Sequence, residues 1–413
     1  MNIAILSYHT CPLATLGGKD TGGMNVYIRD LTTTLGKMGI HADVFTRSQD
    51  EHVPHILHDL GYGNRVIHIK AGPEIPLPKS ELVTYIPQFV DGIIEFTQKK
   101  DISYDLIHSH YWMSGLAALS LRDYWVKVPI LQMFHTLGEM KNRIAKTDRD
   151  REGKYRLEGE HRVLAGVDHI IASTLAEQAQ LEWLYHGDPE KISVIPPGVD
   201  TDHFYPIPVD EARQYIGKNP EDRMILFVGR IEPLKGLDTL IRAVACLKSS
   251  DILGPVHLAV IGGDPDASAE EITSEMLRVQ NLRDELCLGK MVIFLGKRDQ
   301  DTLPYYYSAA EVVVMPSQYE SFGMVALEAM ACGTPVIASQ VGGLAFLVQD
   351  NITGYTIPAD DPEALCEKLS KVLMDAALKR RLGEDAHRYA QKYNWKNIGT
   401  QIVELYKKLQ NPQ

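Results

Sequence analysis

Cysteine is scarce in this chain. Cys11, Cys246, Cys287, Cys332 and Cys366 are the only five in 413 residues, and no two have Cys-x-x-Cys spacing. That scatter argues against a disulfide framework or a zinc site and predicts reduced thiols in a cytoplasmic protein. Long apolar runs are missing too, and a membrane-spanning helix needs about 20 consecutive apolar residues. Met1-Asn-Ile-Ala-Ile-Leu-Ser7 reaches polar residues at once, so no signal peptide is expected. Basic residues are outnumbered: 42 Lys and Arg against 54 Asp and Glu leave a net charge of −12, which excludes general affinity for nucleic acid.

What remains is an ordinary globular composition, 45% hydrophobic and 23% charged, in a chain long enough for two α/β domains of about 200 residues each. Short apolar runs alternate with helical patterns. Ile3–Leu6, Ala42–Thr46, Leu106–His108, Pro129–Phe134 and His169–Ala172 read as strands of one parallel sheet. A connector follows at Ile195-Pro-Pro-Gly-Val-Asp-Thr-Asp-His-Phe-Tyr-Pro206, too rich in proline to be a regular element. The pattern then restarts at Met224–Val228, Val256–Ile261, Val292–Leu295 and Val312–Met315. The expected fold is α/β: two doubly wound Rossmann-like domains facing each other across a cleft. Residues 1–197 form the first and 198–394 the second, with a closing helix in 395–413 packing back on the first.

The most informative stretch runs from Pro316 to Pro335. It follows the Val312–Met315 strand and reads as a turn and then a helix ended by Gly333 and Pro335. Glu320 and Glu328 are eight positions apart. With Glu320 at the helix entrance, Glu328 would lie about 12 Å along the axis and roughly 80° round. Ser321, Phe322 and Gly323 would offer backbone N–H groups at a positive helix end, a seat for phosphate. A buried helix with two incidental glutamates is the bland alternative.

Three further stretches carry charge or glycine where a ligand could use them. Gly17-Gly-Lys-Asp-Thr-Gly22-Gly23-Met-Asn25 precedes a helix and lets backbone approach an anion. It is neither the Gly-x-Gly-x-x-Gly dinucleotide fingerprint nor a P-loop, which disfavours a dehydrogenase. Gly229-Arg230-Ile-Glu-Pro-Leu-Lys235-Gly236 sets two cations at a strand end, where they could flank a diphosphate. Between Lys141 and Arg156, seven cations stand against three acids, either a solvated face or an anion site. His52, His55 and His58 read as a surface loop without a matching acidic ligand. His108 and His110 read as lining the cleft rather than binding zinc.

Taken in order, Gly22-Gly-Met-Asn25, His108-Ser-His-Tyr-Trp112, His135-Thr136, Ile195-Pro-Pro-Gly-Val-Asp200, Gly229-Arg230 with Lys235, and Glu320 with Glu328 resemble a retaining glycosyltransferase of family four, of GT-B architecture. The likeness covers nearly the whole chain. It is nearest to the inositol-phosphate N-acetylglucosaminyltransferases that start mycothiol synthesis, whose Leu-Pro-Lys stretch is matched by Leu77-Pro78-Lys79. Sucrose-phosphate synthases come next: they carry Gln where this chain has Asn25, while Gly138-Glu-Met-Lys141 is similar to their pattern. The basic stretch from Asp148 to Tyr155 departs from the inositol-phosphate enzymes.

The resemblance implies a UDP-sugar donor held by Gly22, Gly23, Gly229, Arg230, Lys235, Arg298, Glu320, Ser321, Phe322, Gly323 and Glu328. Glu328 would meet the ribose and Glu320 the sugar hydroxyls. Arg230 and Lys235 would stabilise the leaving diphosphate, and His135 would position the sugar. The acceptor, a small phosphorylated polyol or sugar, would meet Asn25, Lys79, Tyr111, Thr136, Lys141 and Arg156. No cofactor would be required, magnesium being at most stimulatory. Neither nucleic acid nor membrane would be a partner, and a homodimer stays open. A nucleotide-sugar epimerase of similar architecture is the rival reading.

Overall fold

The computed structural model describes the chain except residues 15–20, 146–147, 149–150, 220, 250–255, 266, 268–271 and 412–413. Two compact units emerge. The first comprises Met1–Ala14, Gly23–Gly198 and the segment from Trp395 onward; the second is built on Val199–Asn394.

The sheet of the first unit has strands β1 (Asn2–Leu6), β2 (His41–Arg47), β3 (Ile56–Leu57), β4 (Arg65–Ile69), β5 (Leu106–His110), β6 (Ile130–Met133), β7 (His169–Ala172) and β8 (Ile192–Val194). Their spatial order is β3-β4-β2-β1-β5-β6-β7-β8, parallel throughout except where β3 meets β4. Ile5 of β1 sits opposite Val44 on one side and His108 on the other. Ile3 to Leu6 are fully buried because helices cover both faces of a parallel sheet. Phe89, Trp112, Phe134 and Val163 form the core on one face. On the other, the helix Trp395–Gln410 lays Trp395, Ile398, Ile402, Leu405 and Tyr406 beside Tyr27 and Leu31. Those five positions fall on one stripe of a 3.6-residue helix. Strand order reverses between β1 and β5, and ligands of such sheets bind at that reversal, outside the carboxyl ends of the strands.

The second unit repeats the plan with β9 (Arg223–Val228), β10 (Val256–Ile261), β11 (Val292–Gly296), β12 (Val312–Met315), β13 (Val336–Ser339) and β14 (Gly354–Ile357). The order is β11-β10-β9-β12-β13-β14, every pair parallel. Here the reversal lies between β9 and β12, so Gly229 and Pro316 leave the sheet side by side.

Several expectations need correction. Strands β3, β4, β8, β13 and β14 escape the sequence reading because they are short and lack a clean period. Thiols are not all reduced: Cys246 on the helix Leu237–Ser249 and Cys366 on the helix Pro362–Met374 form a disulfide, their Cα atoms 6.2 Å apart. Residues 120 apart in sequence meet only because the two helices pack together, which cysteine spacing cannot reveal. His55 does have an acidic neighbour, its Nε2 lying 2.8 Å from Glu74 Oε1. No helix among the described residues is long and apolar enough to cross a membrane.

Candidate active site

In the second unit, the carboxyl ends of β9 and β12 bring the donor-site candidates together. After β9 the chain passes Gly229 and Arg230 into a single turn, Pro233–Lys235. After β12 it runs through Pro316 to Gly323, and Gln318 donates its N–H to Leu234 O at 2.8 Å. That bond stitches the two loops side by side. Lys235 Nζ consequently reaches Glu320 Oε2 at 2.6 Å, both side chains largely buried. Arg230 pairs with Glu232 at 2.6 Å and stays more exposed. Arg298 donates to the Tyr306 hydroxyl at 3.0 Å, next to β11 rather than on these loops.

Glu320 does not begin the helix. The helix runs Met324–Ala331, and Gly323 before it has φ +108°, a conformation that interrupts helical geometry and favours glycine. A side chain there would also collide with Leu344. The 12 Å and 80° relation therefore does not apply. Glu320 instead rides a turn clamped by Gly343, whose N–H donates to Glu320 O at 3.0 Å. A Cβ on Gly342 or Gly343 would strike the backbone of that turn. The N–H groups of Ser321, Phe322 and Gly323 donate to no backbone carbonyl among the described residues, so they remain at the positive end of the eight-residue helix. Glu328, inside the helix and buried, accepts the Tyr307 hydroxyl at 2.7 Å. Burial first, and the Glu328 charge second, push the Tyr307 phenol well above its ordinary range, so it remains a donor to Glu328.

The first unit gathers the acceptor-site candidates. Tyr111 follows β5 with φ +72° and His135 follows β6 with φ +62°, left-handed conformations that are uncommon for residues other than glycine and that concentrate at functional sites. The Lys79 ammonium lies 5.6 Å from the Tyr111 ring centre and the Arg156 guanidinium 5.1 Å from it. Arg156 also donates to Thr136 O at 3.1 Å and Thr136 Oγ1 at 3.0 Å. Its other bonds go to Glu160 at 2.8 Å and Glu152 at 2.7 Å. Lys141 reaches the same Glu152 oxygen at 2.8 Å. Asn25 is buried, donating to Thr10 Oγ1 at 2.8 Å and Cys11 O at 2.7 Å. Among the described residues nothing lies within 4 Å of where a Cβ on Gly22 would stand, and Gly23 opens the helix Gly23–Lys37. The rest of the loop from Gly17 to Asp20 lies outside the described residues, as do Lys146, Arg149 and Asp150 of the basic stretch.

Charge in this cluster is not balanced by Glu152 alone. Burial works against the Arg156 charge, but Tyr111, Glu160 and Glu152 outweigh it and raise its pKa further. Lys141 moves the other way: burial and then repulsion from Arg156 lower its pKa despite Glu152. Burial opposes the charge on Glu152, yet Arg156 and Lys141 together hold its carboxyl below the usual range. Arg156, with two carboxylates beside it, is well held as a cation, whereas Lys141, which shares Glu152 with Arg156, is not.

His108 and His110 are buried inside the sheet of the first unit. Strand β5 continues through His110 in the middle of the sheet, and both rings are completely buried. His108 Nδ1 lies 2.8 Å from the Tyr406 hydroxyl and His110 Nδ1 2.9 Å from His135 Nε2. Burial pushes His108 and His135 down to about 3, and His110 well below its ordinary value. His135 is thus neutral near pH 7, suited to orienting a hydroxyl rather than to supplying positive charge. Among the described residues, no three His, Cys, Asp or Glu side chains gather as a metal site.

The sequence reading missed Glu160 and undervalued Glu152. Glu160 is completely buried and accepts from the Gly138 N–H, from Tyr185 and from Arg156. Both carboxylates stand four residues from Arg156; for Glu160 that spacing makes neighbours on one helix surface, while Glu152 precedes the helix.

Two Rossmann-like α/β units, with an arginine, lysine and glutamate set at the strand-order reversal of the second, define a GT-B glycosyltransferase. The chain belongs to glycosyltransferase family 4: residues 21–203 match the family described as Glycosyltransferase Family 4, and residues 208–389 the one described as Glycosyl transferases group 1. It is 38% identical to the D-inositol 3-phosphate glycosyltransferase of Corynebacterium urealyticum over 99% of this chain and 96% of that one. Identity to the enzyme of the same description from Actinosynnema mirum is 37%, over 98% and 96%. Among solved structures, sucrose-phosphate synthase from Thermosynechococcus elongatus superposes with a TM-score of 0.89 at 36% identity, covering 99% of this chain and 98% of that one. Anabaena HepE in complex with UDP-glucose shares the fold, with a TM-score of 0.76 at 20% identity over 99% and 100%.

Proposed function

We propose that this enzyme transfers a glucosyl or N-acetylglucosaminyl group from a UDP-sugar, with retention of configuration, to a hydroxyl of a small phosphorylated acceptor such as inositol phosphate. The observation that carries this reading is the cation cluster around Tyr111. Lys79, Lys141 and Arg156 converge there at the carboxyl edge of a sheet, which suits a phosphate monoester. The names of the relatives support it. A sucrose-phosphate synthase-like transfer to fructose 6-phosphate is the second reading, favoured by the close superposition on that synthase.

In this proposal the second unit binds the donor, with Glu328 on the ribose, Glu320 on the sugar hydroxyls and the Ser321–Gly323 N–H groups on the diphosphate. Arg230 and Lys235 stabilise the charge that builds on the leaving diphosphate, a preorganised electrostatic contribution. The acceptor hydroxyl attacks on the leaving-group face and its proton passes to the departing phosphate, so no side chain acts as nucleophile. Neutral His135 orients the transferred sugar. Protein cations supply the positive charge, and no metal is required.

The test is UDP release from UDP-glucose and UDP-N-acetylglucosamine, each with inositol phosphate, fructose 6-phosphate and their unphosphorylated counterparts. Turnover confined to a phosphorylated acceptor is expected. Equal turnover on inositol and inositol phosphate would remove the anionic acceptor, and isomerised UDP-sugar without any acceptor would mark an epimerase.

A further inference from the structure

Resting on the phosphorylated-acceptor reading, the geometry points to Glu152 as an internal stand-in for the acceptor phosphate, which the acceptor must displace from between Lys141 and Arg156 in order to bind. Glu152 Oε1 alone takes both cations, Lys141 Nζ at 2.8 Å and Arg156 at 2.7 Å. A phosphate oxygen accepting the same two donors would have to occupy the same place.

Two carboxylates flank Arg156, and they are built differently. Glu160 is completely buried and uses both oxygens, accepting from the Gly138 N–H at 3.1 and 3.0 Å as well as from Arg156 and Tyr185. Removing it would strand buried donors. Glu152 keeps 22% of its side chain exposed and sits between the helices Gly138–Ile144 and Lys154–Gly166. Its backbone is tied instead to Asn142, which accepts the Glu152 N–H at 2.7 Å. The residue is therefore anchored by its main chain while its carboxylate can swing out. Arg156 keeps Glu160 and Thr136 through that exchange, so the pocket retains its shape. The shortfall at Lys141, which shares one Glu152 oxygen with Arg156, favours the exchange. A phosphate ester carries up to two charges where Glu152 carries one, and its oxygens can also reach Lys79. Glu152 thereby sets a threshold that weak or singly charged anions fail to cross, which makes it a specificity-determining residue.

Glu152→Gln keeps the shape and removes the charge. Inorganic phosphate binding is measured by calorimetry on the full-length protein with neither donor nor acceptor present. Alongside it, the KM for the phosphorylated acceptor and the thermal midpoint are recorded. Displacement predicts that the variant binds phosphate roughly tenfold more tightly, about 1.4 kcal/mol, with a matching fall in KM. Unchanged or weaker phosphate binding by a variant of unaltered thermal midpoint would overturn the proposal and make Glu152 an organiser of the cations. Should the glutamine variant not fold, Glu152→Asp, whose shorter carboxylate cannot bridge both cations, serves the same comparison. The calorimetry reads displacement without any transfer reaction. Failure of the phosphorylated-acceptor reading would instead show in the wild type, as equal turnover on phosphorylated and unphosphorylated acceptors.

Discussion

Lys235 and Glu320 are eighty-five residues apart in sequence, yet Nζ and Oε2 meet at 2.6 Å where two loops leave neighbouring strands. The pair holds a cation at the end of β9 and fixes the carboxylate that the donor sugar is proposed to meet. Arg230, on the same loop, pairs with Glu232 at 2.6 Å and is the more exposed of the two loop cations.

Replacing Arg230 or Lys235 by alanine should therefore act on the chemical step. The expected loss in kcat is on the order of 10²–10³-fold with little change in acceptor KM, as for other groups aimed at developing charge. Steady-state kinetics with both substrates varied checks this, and unchanged kcat would remove the residue from the leaving-group role.

Activity should survive chelation. With Arg230 and Lys235 supplying positive charge to the diphosphate, EDTA treatment is expected to leave most of the turnover, and added magnesium to change it by no more than a few-fold. Complete loss with EDTA, recovered on adding magnesium, would show a metal carrying that charge instead.

Lys79→Ala should raise the KM for the phosphorylated acceptor by on the order of 10–100-fold, the range of one charge-assisted hydrogen bond, while sparing the KM for the donor. Comparing KM values for both substrates separates this from general damage to the fold.

Stability should depend on pH through the buried histidines. The folded His108 and His135 stay neutral down to about 3, whereas the unfolded chain takes up protons below the ordinary value of 6.5. The unfolded state binds more protons in that window, so stability is complete above 6.5 and falls as pH drops toward 3, by up to about 1.4 kcal/mol per pH unit for each group. Thermal midpoints recorded from pH 8 to pH 5 should decline, and His108→Gln should show a shallower decline. Parallel curves for the two proteins would exclude the histidine as the cause.

Reductant should lower the thermal midpoint. The Cys246–Cys366 bond closes a loop of about 120 residues, for which chain-entropy reasoning gives roughly 4–5 kcal/mol as an upper figure. Cys246→Ser should melt lower than the oxidised wild type and be insensitive to dithiothreitol. Identical melting of oxidised and reduced wild type would mean the link contributes nothing.

Much of the fold was legible because parallel strands buried on both faces read as apolar runs. His169–Ala172, Val256–Ile261 and Val312–Met315 emerge with the expected bounds. Val336–Ser339 did not emerge, because its four residues follow the Gly333-Thr-Pro335 signal that ends the preceding helix. Glu320 and Lys235 were legible as candidates from their positions after strands. Their contact was not, since it depends on the hydrogen bond between Gln318 and Leu234, which joins two separate loops.

The stretch around Glu320 shows how the two sources divide. Local pattern by itself determined the strand before it, the helix after it and the repeated α/β plan, while the family was legible as a resemblance of motifs. Those properties follow from short-range periodicity and from motif order along the chain. Only the tertiary structure decided that Glu320 stands outside the helix against Lys235, that Glu152 bridges Lys141 and Arg156, that His108 is buried beneath Tyr406, and that two distant cysteines are joined. Each depends on which strands and helices become neighbours, and that choice is made by packing the whole sheet, where residues 85, 120 or 298 apart come within bonding distance.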